Sequence, residues 1–161
     1  MFSNNKIINS GVWGNITDEA FNRIDTDVVP YNPSKVFLLI GINDIGRGRD
    51  NELIKDRIEK ILLQIKLNCP YAKLYLISVY PINISDFDSW YSPDNKINET
   101  VDDLNASLEK LSDDLNITYI DVAKYLKNDK NELIAEYTVE GLHITDAGYE
   151  VITGVLEGYV E

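Results

Sequence analysis

Short apolar runs alternate along the chain with longer segments in which apolar residues recur every three or four positions. The runs predict four strands, at residues 6–9, 36–40, 73–79 and 117–122. The second and third runs are apolar enough for strands that are buried on both faces of a sheet. The longer segments predict helices at residues 18–25, 52–68, 99–115 and 146–160.

The helix predicted at residues 52–68 shows how these elements pack. Its apolar positions lie on one face, and its charged positions lie on the other: Ile54, Ile58, Ile61, Leu62 and Ile65 against Lys55, Asp56, Glu59 and Lys60. Strand and helix in regular alternation imply right-handed parallel crossovers. We therefore expect an α/β fold, a three-layer α/β/α sandwich with a flavodoxin-like parallel sheet. Ligands of such sheets bind at the carboxyl ends of the strands.

Composition bounds the class of protein. The 161 residues, 44% of them hydrophobic, predict a single globular domain spanning 1–161. A net charge of −12 disfavours nucleic acid and anionic membranes as partners. No run approaches a membrane span of roughly 18 apolar residues, and the first residues do not resemble a signal peptide. With one cysteine, Cys69, no internal disulfide can form, and we expect a cytoplasmic location.

A glycine-framed polar pair follows the strand predicted at 36–40. Asn43 and Asp44 lie between Gly41 and Gly46. One interpretation is a turn that uses Asn and Asp for capping or positive φ. The other is that Asn43 donates its side-chain amide to a developing oxyanion from a rigid strand end.

The only histidine, His143, precedes the last predicted helix, for which Thr145 is the predicted N-cap. A lone histidine is often structural. Here Glu140 lies three residues earlier, so the loop can fold back and let the carboxylate accept the Nδ1 proton. An imidazole fixed in one tautomer by an acid is the base that nucleophilic catalysis requires, which favours a catalytic His143.

A third glycine-containing segment follows the first predicted strand. Gly11 and Gly14 there allow a backbone N–H to point at a ligand. The alternative is a plain helix entry capped by Thr17.

Together these segments resemble the SGNH hydrolases, also called GDSL-type lipases and acylhydrolases, most of all the platelet-activating-factor acetylhydrolase-like branch. Residues 9–17 are similar to the family's second block, 41–44 to its G-x-N-D block, and 140–149 to its D-x-x-H-x-x-x-x-G-Y block. The resemblance implies hydrolysis of a small acyl ester, lipid- or carbohydrate-linked, through an acyl-serine intermediate without metal or cofactor.

The same resemblance implies roles for individual residues. His143 would be the general base and Glu140 its orienting acid, with Gly14 (backbone N–H) and Asn43 (side-chain amide) in the oxyanion hole. Asp44 is a predicted substrate-binding residue. The connection at 80–98, which overhangs the same sheet edge, adds Trp90 and Tyr91 to the substrate contacts, or else forms an aromatic cluster that closes the edge.

Two departures from the family pattern matter. Glu140 stands where the family has Asp, which changes the match little. The family's Gly-Asp-Ser block is absent, and with it the first strand, an internal one in the order 2-1-3-4-5. Either residues 6–9 close up against 36–40, or another chain supplies a strand, as in a homodimer, or the sequence is an incomplete part of the working protein. Ser10 and Ser78 are the best of the remaining serines, although neither has the strand-turn-helix context of the family's nucleophile.

Three functions remain open at this stage. The first is a serine esterase whose nucleophile is not in this chain. The second is a nucleophile-less module that binds acylated sugars or esters. The third is a flavodoxin-like interaction domain in which Asn43, Asp44 and His143 serve as caps and turns.

Overall fold

The computed structural model describes residues 6–87 and 96–160. The strands are β1 (Lys35–Leu38), β2 (Lys73–Ile77) and β3 (Thr118–Ile120). The helices are α1 (Thr17–Phe21), α2 (Ile24–Asp27), α3 (Ile42–Gly46), α4 (Asn51–Asn68), α5 (Ile97–Leu115) and α6 (Asp146–Val160), and single 3₁₀ turns lie at Val29–Tyr31, Ala123–Tyr125 and Ala135–Tyr137.

The described strands form one parallel sheet in the order β1-β2-β3. Phe37 pairs with Tyr75 across the first ladder, and Leu76 pairs with Tyr119 across the second. Each parallel connection runs through a long helix, α4 between β1 and β2 and α5 between β2 and β3. All three strands therefore end at the same edge, as the sequence pattern predicts.

Alternate residues of β2 pack into two different cores. Leu74 and Leu76 face α4 and α5, within a cluster that includes Ile58, Ile61 and Leu104. Tyr75 and Ile77 face α6, where Ile152 joins a second cluster with Leu126 and Leu133. Helices on both sides of a parallel sheet confirm the three-layer α/β/α class. The predicted bounds of α4, α5 and α6 agree with the structure to within two residues.

Residues 6–9 are not a strand, which corrects the first predicted element. They have no regular secondary structure, Ile7 is 62% exposed and Ile8 is 40% exposed, and they pair with no described strand. A strand is stable only when a neighbour satisfies its backbone N–H and C=O groups. Residues 6–9 do not close up against β1 either, so one of the three expected arrangements is wrong.

Two further local predictions need correction. The helix predicted at 18–25 is divided into α1 and α2. Asn22 is the C-cap of α1, and Arg23, the N-cap of α2, donates its guanidinium to Asn15 Oδ1 (3.1 Å) and Ser10 O (3.2 Å). Thr17 is not a cap: Ile16 precedes the helix, its N–H bonded to Glu19 Oε2 at 2.9 Å. The predicted turn after β1 contains α3.

Within the described ranges, no helix is both long and apolar enough to cross a lipid bilayer.

Candidate active site

His143 and Glu140 form a hydrogen-bonded pair on the loop before α6. One carboxylate oxygen, Glu140 Oε1, lies 2.5 Å from His143 Nδ1 and also accepts the backbone N–H of His143 at 3.0 Å. The pair is solvent-accessible, with the histidine side chain 53% exposed and the glutamate 44% exposed. The extra methylene of glutamate thus permits the contact that the sequence predicts.

The backbone of the loop that carries Glu140 and His143 is held in place by Gly141 and Thr138. Gly141 has a φ of +97°, and a Cβ there would lie 2.6 Å from the carbonyl oxygen of Asn83, so no other residue fits. Thr138 accepts the Gly141 N–H (2.9 Å) and donates to the carbonyl of His143 (3.0 Å). Thr145 caps α6 by accepting the N–H of Gly148 at 3.3 Å, as predicted.

The pairing lowers the pKa of Glu140 and orients the ring of His143. Burial raises the pKa of Glu140 somewhat, but hydrogen bonds from the His143 backbone and ring outweigh it, so the pKa is lowered overall. The ionised carboxylate favours the tautomer with a proton on Nδ1 and a lone pair on Nε2. That lone pair faces the indole of Trp13, whose Nε1 lies 3.3 Å from Nε2.

Trp13 and Gly14 are the central residues of a tight turn. The N–H of Asn15 donates to the carbonyl of Val12 at 3.2 Å, and Gly14, the third residue, has a φ of +75°, as a type II turn requires. Arg47 clamps the turn through its Nη2, 3.1 Å from the carbonyl of Gly14. The Gly14 N–H donates no hydrogen bond to another described residue.

The side chain of Asn43 reaches the same turn from α3. Its Nδ2 donates to the carbonyl of Asn15 at 3.0 Å. This bond fixes the orientation of the Asn43 amide. Gly41 begins α3 with a φ of +132°, in close contact with Val79 and Leu104. The three segments that carry the family resemblance therefore meet at the carboxyl edge of the sheet.

Asp44 is not placed to contact a substrate, and the prediction that it does so needs correction. Its side chain is fully buried. The carboxylate accepts the Thr17 hydroxyl (2.7 Å) and backbone N–H (3.0 Å), and Arg49 Nη1 lies at 3.2 Å. Asp44 is therefore a positioning residue that ties the loop before α1 to α3.

Thr17 and Arg49 are partners that the sequence did not reveal. Residue 49 lies outside the recognisable motif, and Thr17 resembles an ordinary helix cap. A buried aspartate requires compensating donors, but the sequence does not say which residues supply them.

No serine of the described residues is hydrogen-bonded to His143. Ser10 Oγ donates to the carbonyl of Asp27 (2.7 Å), and the fully buried Ser78 accepts the N–H of Ala123 (2.8 Å). Ser85 bonds to Glu132 at 2.9 Å. Trp90 and Tyr91, the predicted aromatic substrate contacts, lie outside the described residues.

No group of three His, Cys, Asp or Glu side chains suited to a metal ion occurs in the part of the chain that the structure describes. The chemistry that this geometry offers is that of an imidazole oriented by a carboxylate. Beside it lie a turn whose Gly14 N–H donates to no described residue and the side-chain amide of Asn43, groups of the kind that an oxyanion requires.

Comparison with known proteins places these features in a family. Residues 2–151 match the family model described as GDSL-like Lipase/Acylhydrolase family. Among solved structures, a Streptococcus pneumonia protein described as a platelet activating factor superposes with a TM-score of 0.90 at 25% identity, over 99% of this chain and 74% of that one. An acetylxylan esterase of Geobacillus stearothermophilus gives a TM-score of 0.75 at 18% identity, over 96% and 72% of the two chains.

A curated relative is longer. The N-acylneuraminate cytidylyltransferase of Escherichia coli O18:K1:H7 is 26% identical over 156 residues, which are 91% of this chain and 33% of that protein. The chain thus spans about a third of the length of this relative.

Proposed function

The chain belongs to the GDSL-like lipase/acylhydrolase family, and from this premise we propose that it is the body of a serine esterase that removes a small acyl group from a carbohydrate. The nucleophile is supplied by a segment that this chain lacks. The observation that carries the proposal is the meeting of the His143–Glu140 pair with the Gly14 turn and Asn43.

In this mechanism His143 Nε2 removes the proton of the serine hydroxyl while the oxygen attacks the ester carbonyl carbon. The tetrahedral oxyanion accepts the Gly14 N–H, the Asn43 amide and the N–H of the nucleophile itself. His143 then protonates the departing alcohol, which leaves an acyl-serine. Water, deprotonated by the same Nε2, releases the carboxylic acid and restores the serine.

The open side of β1 is where the nucleophile would enter. β1 pairs with β2 on one side and with no described strand on the other. A parallel strand added there would end at the edge that carries Gly41 and Asn43. A serine just beyond its end would be delivered beside His143, and the new strand would also offer residues 6–9 a partner.

Two comparisons support a carbohydrate ester rather than a long-chain lipid. One neighbour in fold is an acetylxylan esterase, and the curated relative is named for a sugar acid, N-acylneuraminate. The strongly acidic chain also disfavours adsorption to anionic lipid surfaces.

The test is to precede the chain with an apolar strand that ends in Gly-Asp-Ser and to assay release of acetate from acetylated xylo-oligosaccharides. We expect turnover that is lost in the His143→Ala variant and in a control whose added segment ends in Gly-Asp-Ala. Equal turnover in the His143→Ala variant would rule out the proposed base.

The contact between Trp13 and His143 favours a second candidate, a module that binds acylated sugars without cleaving them. The indole N–H occupies the lone pair to which a serine hydroxyl would donate. In this case the open side of β1 is covered by a second copy of the chain, as a homodimer. Acetylated sugars should then raise the melting temperature of a dimeric protein with no release of acetate, because a ligand that binds only the native state stabilises it. A monomer with no such rise would exclude this candidate.

A further inference from the structure

Among the described residues of the candidate active site, Trp13 is the most exposed large apolar side chain. It is 85% exposed, although tryptophan side chains are mostly buried in folded proteins. Val12, the preceding residue of the same turn, is 51% exposed. An exposed tryptophan at a site marks a surface that becomes covered when a partner or ligand binds.

The position of Trp13 is set by the fold rather than by chance at the surface. Its indole N–H is directed at His143 Nε2, across 130 positions of sequence. The turn that carries it is clamped by Arg47 through Gly14. A tryptophan side chain has only two rotatable bonds, so holding it costs little conformational entropy.

Polar residues flank this indole in the sequence and at its contact with His143, beside the exposed apolar Val12. Asn9 and Asn15 belong to the same segment, and Glu140 lies on the other side of His143. Beside Val12 a shallow cavity of about 210 Å³ continues the surface, lined in part by Ser10, Arg23, Asp27 and Tyr31. The surface is therefore a flat aromatic face with hydrogen-bonding groups around it.

That combination fits a sugar ring better than a fatty chain. The C–H groups on one face of a pyranose are weakly positive and pack against the electron-rich face of an indole, while the hydroxyls around the ring reach polar neighbours. A fatty chain requires a continuous apolar channel. Within the described residues, the cavity that adjoins Val12 is lined largely by polar side chains.

We propose that Trp13 is the platform on which the sugar ring of the acylated substrate stacks, which places its ester beside His143. This inference deepens the proposed function and rests on it. Nε2 has one lone pair, so the indole N–H and a serine hydroxyl compete for it. Stacking of the sugar turns the indole away from Nε2 and leaves the lone pair to the nucleophile.

Binding is tested first, on the chain as it is, with a monoacetylated methyl xyloside as the probe and tryptophan fluorescence and calorimetry as readouts. The wild-type emission should shift to shorter wavelengths and saturate, because the indole leaves water. Trp13→Ala should weaken binding about tenfold or more, and Trp13→Phe by less, because a smaller ring remains. Tyr71→Ala is the matched control: Tyr71 is 92% exposed but lies before β2, at the opposite end of the sheet, and its removal should leave binding unchanged.

Ester hydrolysis by the strand-completed chain, which is the chain preceded by an apolar strand that ends in Gly-Asp-Ser, tests this inference separately from the proposed function. Trp13→Ala should raise KM for the acetylated xyloside about tenfold. It should speed hydrolysis of ethyl acetate, which has no ring to turn the indole away, because the indole no longer competes for Nε2. Hydrolysis of ethyl acetate with no xyloside binding would overturn the role of Trp13 and leave the esterase. Trp13-dependent binding with no hydrolysis of any ester would contradict the esterase and support the platform. Unchanged binding by Trp13→Ala would also overturn the inference.

Discussion

Strands β1 and β2 have similar apolar sequences but different environments. From Leu74 to Ile77 every residue of β2 is buried, because the strand has a neighbour on each side and helices on both faces. All four residues of β1 are only half-buried, and Leu39, just beyond its end, is 41% exposed. The two strands differ in burial because β1 has a described neighbouring strand on one side only, and not because their compositions differ.

The half-buried strand is also the one that leads into the candidate active site. β1 runs into Gly41 and Asn43, and the exposed residues 6–9 lead into the turn of Trp13 and Gly14. The His143–Glu140 pair, by contrast, lies on a loop braced by Thr138 and Gly141. The His143–Glu140 contact is thus formed by described residues alone, whereas the side of the candidate site next to β1 has no described strand beyond it.

The largest expected effect comes from truncating matched leucines in the two strands. Leu76→Ala should lower the free energy of unfolding by about 3 kcal/mol, because it leaves a cavity in a closed core. Leu38→Ala should cost about 1 kcal/mol, since its side chain already meets solvent. Denaturant unfolding of both variants measures this. Equal losses would mean that β1 is as well covered as β2.

A smaller loss in the free energy of unfolding is expected when the hydrogen bonds between Asp44 of α3 and Thr17 are removed. Asp44→Ala should cost about 2 kcal/mol, because the Thr17 N–H and hydroxyl lose a buried, charged acceptor. Thr17→Val removes only the hydroxyl bond and should cost less. Unfolding by urea, with hydrogen exchange of the Thr17 amide, reports both effects. An unchanged Thr17 amide in Asp44→Ala would contradict the role of this carboxylate.

The sequence predicted those helices and strands whose pattern of apolar residues has the period of a helix or a strand. The amphipathic period of α4 and the apolar run of β2 located those elements, because each matches the period of its own structure. Residues 6–9 have the composition of a strand, but strand formation depends on a partner elsewhere in space. The single helix predicted at 18–25 is two short helices in the structure, and the side chain of Arg23 between them bonds to Ser10 and Asn15 of the preceding loop.

In the candidate site, contacts between residues near in sequence were predictable, and contacts between distant residues were not. Glu140 and His143 lie three residues apart, so their contact could be expected from the loop alone. The contact between Trp13 and His143 joins residues 130 positions apart, and no sequence pattern indicates it. The burial of Asp44 depends on Thr17 and Arg49, which come from different elements, and for this reason its predicted role was wrong.

The smallest expected effect is the pH dependence of the Glu140 contact. The pKa of Glu140 is lowered in the folded chain, so its carboxylate adds stability above its ordinary pKa, and this is lost as the pH falls through the lowered value. Because the pair is exposed, the contribution is about 0.5 kcal/mol or less. The stability difference between wild type and Glu140→Gln should shrink as the pH falls below about 5.

The matched control for this pH dependence is Glu136→Gln. Glu136 is an exposed carboxylate four residues before Glu140, in the turn that precedes α6, so its replacement removes one carboxylate and leaves the Glu140–His143 contact in place. Thermal unfolding at several pH values measures both variants. A difference for Glu140→Gln that stays constant with pH would contradict the carboxylate's role.

The most direct measurement is labelling with a fluorophosphonate, which phosphonylates activated serines. The chain is treated with and without an added apolar strand that ends in Gly-Asp-Ser, and the label is located by mass spectrometry. The account predicts no label on the chain alone. In the strand-completed protein it predicts one label, on the serine of Gly-Asp-Ser, which is lost in His143→Ala. A label on Ser10 or Ser78 of the chain alone would contradict it, because the nucleophile would then lie within the chain.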